Sequence, residues 1–254
     1  ILEAKGFAEI ASTGTANGDD VIFLSNAYMD NFLGTYFAKK HRKSRNFLKE
    51  LAEWTALTIT KWSDAGVAMH GSEPSYYLNV LSHAGSSEMK IAEVVPSNTN
   101  FIIDITIGNI TSYIKAYRNY LDSKSSLDRY EAILKAQKKE FGQNAEEWAE
   151  SLGINEVAVL NLKMNGKLRQ ILTLRPGKKL KAENVSGMKC AGFASSVFGN
   201  VFTAEDESTC ALAHGWIVIG AADCVAEYSK TNFLRETLAS RLDAEGLDRV
   251  PQKN

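Results

Sequence analysis

Glu156-Val157-Ala158-Val159-Leu160-Asn161-Leu162-Lys163-Met164-Asn165-Gly166-Lys167-Leu168-Arg169-Gln170-Ile171-Leu172-Thr173-Leu174 is the stretch that decides the fold. Asn-Gly supplies the two left-handed residues of a type I′ turn, so Met164 pairs with Lys167 and the register of a whole hairpin follows. That register puts Val157, Val159, Leu172 and Leu174 on one face and Ala158, Leu160 and Ile171 on the other. With both faces apolar, the hairpin base must be sandwiched between other layers. Lys163, Lys167 and Arg169 near the turn are expected to carry the tip into water.

Downstream, Pro176, Gly177 and the Lys-rich stretch from Lys178 to Lys181 read as a linker. Thr209 to Ala213 and Trp216 to Gly220 flank His214-Gly215 as a second two-residue hairpin. A helix is expected to carry Cys224, Val225, Tyr228, Phe233, Leu234, Leu238 and Leu242, with Lys230-Thr231-Asn232 opening or interrupting it. Upstream lie three helices. One opens after Asn109 with Ile110, Tyr113, Ile114, Tyr117 and Leu121 on one face, the second runs from about Leu127 to Phe141 before Gly142, and the third is capped by Asn144 and ended by Gly153. Before them, Phe101, Ile103, Ile105 and Ile107 alternate with Asp104 and Thr106 as a strand with one solvent face.

The N-terminal part repeats these devices. Val21 to Leu24 reads as a strand, followed by a helix with Tyr28, Phe32 and Tyr36. Residues 54 to 70 read as a hairpin around a Ser63-Asp64-Ala65-Gly66 turn, and Tyr76 to Leu81 as a strand. Residues 21 to 32 overlay 217 to 228 without a gap, each a strand, a small-residue turn and a helix closed by an aromatic. The echo implies two pseudo-related lobes with hairpins in equivalent places, or a coincidence of patterning. The expected lobes are 1–94 and 95–254, unless the whole is one domain.

Composition narrows the function classes. The 254 residues are 44% hydrophobic and 23% charged, as in a globular protein with a real core. Lys and Arg number 29 against 30 Asp and Glu, and no apolar run reaches the roughly 18 residues of a membrane helix. A transmembrane span and a globally basic nucleic-acid binder are therefore excluded. The chain begins Ile1-Leu2-Glu3 with no initiator Met, so a mature chain or an excised fragment is expected, with any targeting signal or membrane anchor upstream. Cys190, Cys210 and Cys224 allow at most one disulfide.

No constellation reaches a catalytic signature. Ser87 with Lys90, Ser112 with Lys115 and Ser186 with Lys189 have the spacing of serine acyl-transfer enzymes, but the partner motifs are missing. Cys210, His214 and Cys224 are spaced as three metal ligands, yet Cys210 and His214 fall at opposite ends of one strand. Asp19, Asp20, Asp104, Glu146 and Glu147 read as helix starts, turns and a solvent strand face, so no acid/base pair can be named. No phosphate loop or dinucleotide fingerprint occurs, and no cofactor is expected. Lys39, Lys40, Arg42, Lys43 and Arg45 form the one candidate patch, for anionic headgroups or other anionic ligands. Tyr76, Tyr77, Tyr113, Tyr117 and Tyr120 offer either a glycan or protein contact or, for Tyr113 and Tyr117, a core stripe.

Val95-Pro96 through Phe101-Ile102-Ile103-Asp104-Ile105 into Tyr113-Ile114-Lys115-Ala116-Tyr117-Arg118, and later Ser195 to Phe202 with Gly215-Trp216-Ile217-Val218-Ile219-Gly220, resembles an uncharacterised family of Bacteroidetes envelope proteins of the DUF3352 type. The resemblance implies an exported or lipid-anchored bacterial protein of the cell envelope or periplasm, with no catalytic residues to carry over. The sequence thus predicts an α+β fold, a mainly antiparallel sheet of hairpins with amphipathic helices packed on it. The expected function is a non-catalytic module binding a protein or surface ligand. The alternative is a hydrolase whose site is assembled from distant residues.

Overall fold

The computed structural model describes residues 6–14, 20–29, 46–60, 64–164, 166–185, 191–230 and 233–245. It is an α+β protein with two antiparallel sheets. The chain divides into two compact units, Ile1–His83 with Lys115–Leu127, and Ala84–Ile114 with Asp128–Asn254.

In the first unit, α1 (Phe7–Gly14), β1 (Asp20–Ser25), α2 (Asn46–Leu51), β2 (Trp54–Thr60), β3 (Asp64–His70) and α3 (Tyr77–His83) follow one another. The strands form a sheet in the order β1-β2-β3. Alternation puts Trp54 and Ala56 on one face, where they bury Ile10 of α1 together with Phe7, Val21, Phe23 and Ala68. The expected hairpin forms, but Thr60 pairs with Asp64, so Asp64 to Gly66 belong to β3 and not to the turn. The expected strand at Tyr76 to Leu81 is instead α3. Tyr77, Val80 and Leu81 have the i, i+3, i+4 spacing of one helix face, and Val80 is its buried residue.

The second unit contains α4 (Ile91–Val94), β4 (Phe101–Thr106), the start of α5 (Ile110–Ser123), α6 (Leu127–Phe141), α7 (Ala145–Leu152), β5 (Glu156–Met164), β6 (Lys167–Arg175), α8 (Phe193–Phe198), β7 (Thr209–Ala213), β8 (Trp216–Gly220), α9 (Ala222–Tyr228) and α10 (Leu238–Glu245). Its sheet runs β4-β5-β6-β8-β7. Met164 pairs with Lys167, as the Asn-Gly turn requires, and Gly166 adopts φ +78°. In the second hairpin both turn residues are left-handed, His214 at φ +53° and Gly215 at +82°. α7 has the full capping box: Asn144 accepts from the Glu147 N–H, Glu147 accepts from the Asn144 N–H, and left-handed Gly153 closes the helix.

The five-stranded sheet is buried on both faces over its base. Ala158, Leu160, Leu162, Met164, Ile171, Trp216 and Val218 pack on one side against Ile91 and Val94 of α4 and Cys224, Val225 and Tyr228 of α9. Val157, Val159, Leu172, Leu174, Ile217 and Ile219 are buried on the other. At the tip Lys167 is exposed on the first face as well; the second face opens further. Lys163 and Leu168 are exposed there, whereas Leu162 and Met164 stay buried to the last pair of the hairpin.

One expectation is corrected at the C-terminus. The C-terminal helix is two helices: α9 stops after the fully buried Tyr228, and Thr237 caps α10 by accepting the Ser240 N–H. The echoed strands also occupy different places. β1 lies at an edge beside the first strand of its hairpin, and β8 lies inside its sheet beside the second strand of its own.

Candidate functional site

The base of the five-stranded sheet ends in a polar strip. Thr106 opposes Glu156, which opposes Arg175; one step inward Asp104 opposes Ala158, which opposes Thr173. Asp104 and Glu156 therefore share a face as diagonal neighbours on adjacent strands, within reach of each other's side chains. Glu156 is fully buried. Its carboxylate accepts the backbone N–H of Lys90 at 2.9 and 3.0 Å and that of Ile91 at 2.8 Å, tying β5 to the start of α4. Arg175 Nε lies 2.8 Å from Glu156 Oε2, and the same guanidinium donates to Ser87 Oγ at 3.1 Å and to the Glu88 carbonyl.

Asp104 has none of these donors. Both of its carboxyl oxygens are buried without a hydrogen-bond partner, so the expectation of a solvent strand face for Asp104 is overturned. The covering of β4 at this point removes water from a position that alternation alone assigns to the outside. Burial pushes the Asp104 carboxyl up to about 8 from its ordinary 3.8, the Glu156 charge adds to the rise, and Arg175 opposes it. Burial also raises Glu156, against the pull of the Lys90 amide, Arg175 and the Ile91 amide. One proton shared between two carboxyls resides on the one without donors, so Asp104 is the acid and Glu156 the carboxylate. The pair can hold and release a proton; it lines neither cleft described next.

One open cleft, about 440 Å³, has Gly108, Gly153, Asn155 and Gly177 in its wall. A Cβ on Gly177 would meet the Gly153 carbonyl oxygen at 2.4 Å, so backbone approaches backbone too closely for any side chain. A smaller hollow of about 240 Å³ lies beside Arg169, Asp223 and Cys224. Arg169 forms a forked pair with Asp223 at 3.1 and 3.2 Å, and burial raises the Cys224 thiol, leaving it a poor nucleophile.

The other sequence candidates are scattered. Lys39, Lys40, Arg42, Lys43 and Arg45 lie outside the described residues, as does Cys190. Cys210 and Cys224 are free, buried thiols, and His214 is engaged with the Tyr228 carbonyl at 2.9 Å. Glu146 and Glu147 stand in the first turn of α7 as expected. Tyr113, Tyr117 and Tyr120 are buried, and Tyr77 packs edge-on to Tyr117 and Tyr120 at 6.3 and 6.0 Å, the geometry of a core stripe. The sequence pattern does not single out Glu156 and Arg175, although the hairpin register places them opposite each other. A charge pair at the apolar end of a sandwiched hairpin was the available signal.

Comparison of the chain with family models, curated proteins and solved structures finds no match. Among the described residues no helix is long and apolar enough to cross a membrane.

Proposed function

We propose that the chain is a non-catalytic module of a bacterial cell envelope that binds a protein or surface ligand. The observation that carries this reading is an exposed apolar pair on the second face of the sheet. Phe101 is 57% and Leu168 58% exposed. Phe101 opposes Asn161, Asn161 opposes Gln170, and Leu168 follows two residues away on the same face. Two large exposed apolar side chains on one sheet face, with Asn161 and Gln170 between them and Lys163 opposite Leu168, offer a contact surface. The envelope location rests on the family resemblance. The alternative, a hydrolase assembled from distant residues, draws on the Asp104–Glu156 pair, but neither carboxyl lines either of the two clefts described above.

Photo-crosslinking residues placed at Phe101 and Leu168 in the native cell are expected to trap one discrete partner. The same probe at Ile133, 41% exposed on α6, is expected to trap none. Equal or absent trapping at all three positions rejects the surface as a binding face.

A further inference from the structure

The carboxyl pair holds more than a static bridge. Arg175 Nε is buried and, although it lies 2.8 Å from Glu156, makes no hydrogen bond in line. Asp104 Oδ1 and Oδ2 are buried and also make none. One cluster thus contains a guanidinium N–H with no bond in line and two carboxyl oxygens with no partner. The other end of Arg175 holds Ser87 and Glu88, the residues leading into α4. We infer that Asp104, Glu156 and Arg175 form a proton-operated latch on α4: loss of the Asp104 proton draws Arg175 toward Asp104 and frees the Lys90–Ile91 end of the helix.

The physical steps are few. Two carboxylates facing one guanidinium leave a net negative charge in a water-poor site, and each competes for the same N–H groups. The remaining charged groups lie on α4 and its approach. Lys90 is turned to Glu88 and Glu93 at 2.9 and 3.0 Å, and the Glu93 charge adds to the negative field on Glu156. None of them supplies a second cation to the pair. The far end of α4 remains pinned, because the Tyr228 hydroxyl donates to the Val94 carbonyl and the Leu238 N–H to the Val95 carbonyl. Release at one end only makes α4 a flap over Ile91 and the sheet core beneath it.

The test follows backbone amides by NMR in the full chain from pH 6.5 to 9.5, with solvent-exchange rates corrected for intrinsic base catalysis. Lys90 and Ile91 are expected to lose about tenfold protection with a midpoint near 8 while the Gly153 amide, which caps α7, stays protected. Asp104→Asn is expected to hold Lys90 and Ile91 protected across the range. Glu156→Gln, which keeps the shape and removes the competing charge, is expected to move the midpoint toward lower pH. A flat response in the parent, the same loss in Asp104→Asn, or parallel loss at Gly153 overturns the latch.

Discussion

At Asp104 a single carboxyl makes a pH-dependent contribution whose sign is fixed by its burial. Its folded value of about 8 lies above the ordinary 3.8, so the folded chain keeps a proton that the unfolded chain releases. The contribution to stability is full below about 4 and is lost as the pH rises through about 8. Asp104→Asn removes this titration at nearly constant volume. It is expected to stabilise the chain by about 1–2 kcal/mol at pH 8 relative to the parent, and to do so less at pH 5. Urea denaturation at the two pH values measures it; an equal effect at both would show that Asp104 carries no extra proton. The alternation of residues 101–107 made the strand legible and also misplaced Asp104, because period two reports which residues share a face and not whether that face is covered.

Elements with their own local chemistry were readable directly. The Asn-Gly and His-Gly turns, the Asn144 cap and the Gly153 stop each satisfy a backbone requirement within a few residues, so the hairpins and α7 fall where expected. α3 has no cap or turn to mark it, only the spacing of Tyr77, Val80 and Leu81 around buried Val80, which a short apolar run shares with a strand. The sandwiched hairpin gives a test at this scale. Leu160→Pro removes a ladder donor at a fully buried position in an interior strand and is expected to cost more than about 3 kcal/mol. Lys167→Ala at the exposed tip is expected to stay within about 0.5 kcal/mol of the parent. Thermal unfolding of the two variants checks the pair, and similar losses would contradict the placement of the hairpin base between two layers.

For the whole molecule, a formal charge of −1 supplies no long-range field, so any anion binding by Lys39, Lys40, Arg42 and Lys43 must be short-ranged and salt-sensitive. Replacing all four by Ala is expected to abolish sedimentation with phosphatidylglycerol vesicles at low ionic strength, and a parent chain that does not sediment removes the patch from consideration. The polar cluster was less legible than the fold because its groups, Asp104, Glu156 and Arg175, come from three strands and meet only through sheet register. That register also has a kinetic side. β5 with β6 and β7 with β8 close over two-residue turns, whereas β4 reaches β5 only after residues 107–155 and their helices have been accommodated. Loop closure favours the short contacts first, so the edge strand that carries Asp104 docks late, onto hairpins already formed. By the same ordering, the Asp104 carboxyl leaves water only when β4 docks, against a Glu156 and Arg175 pair that the hairpin already brings together.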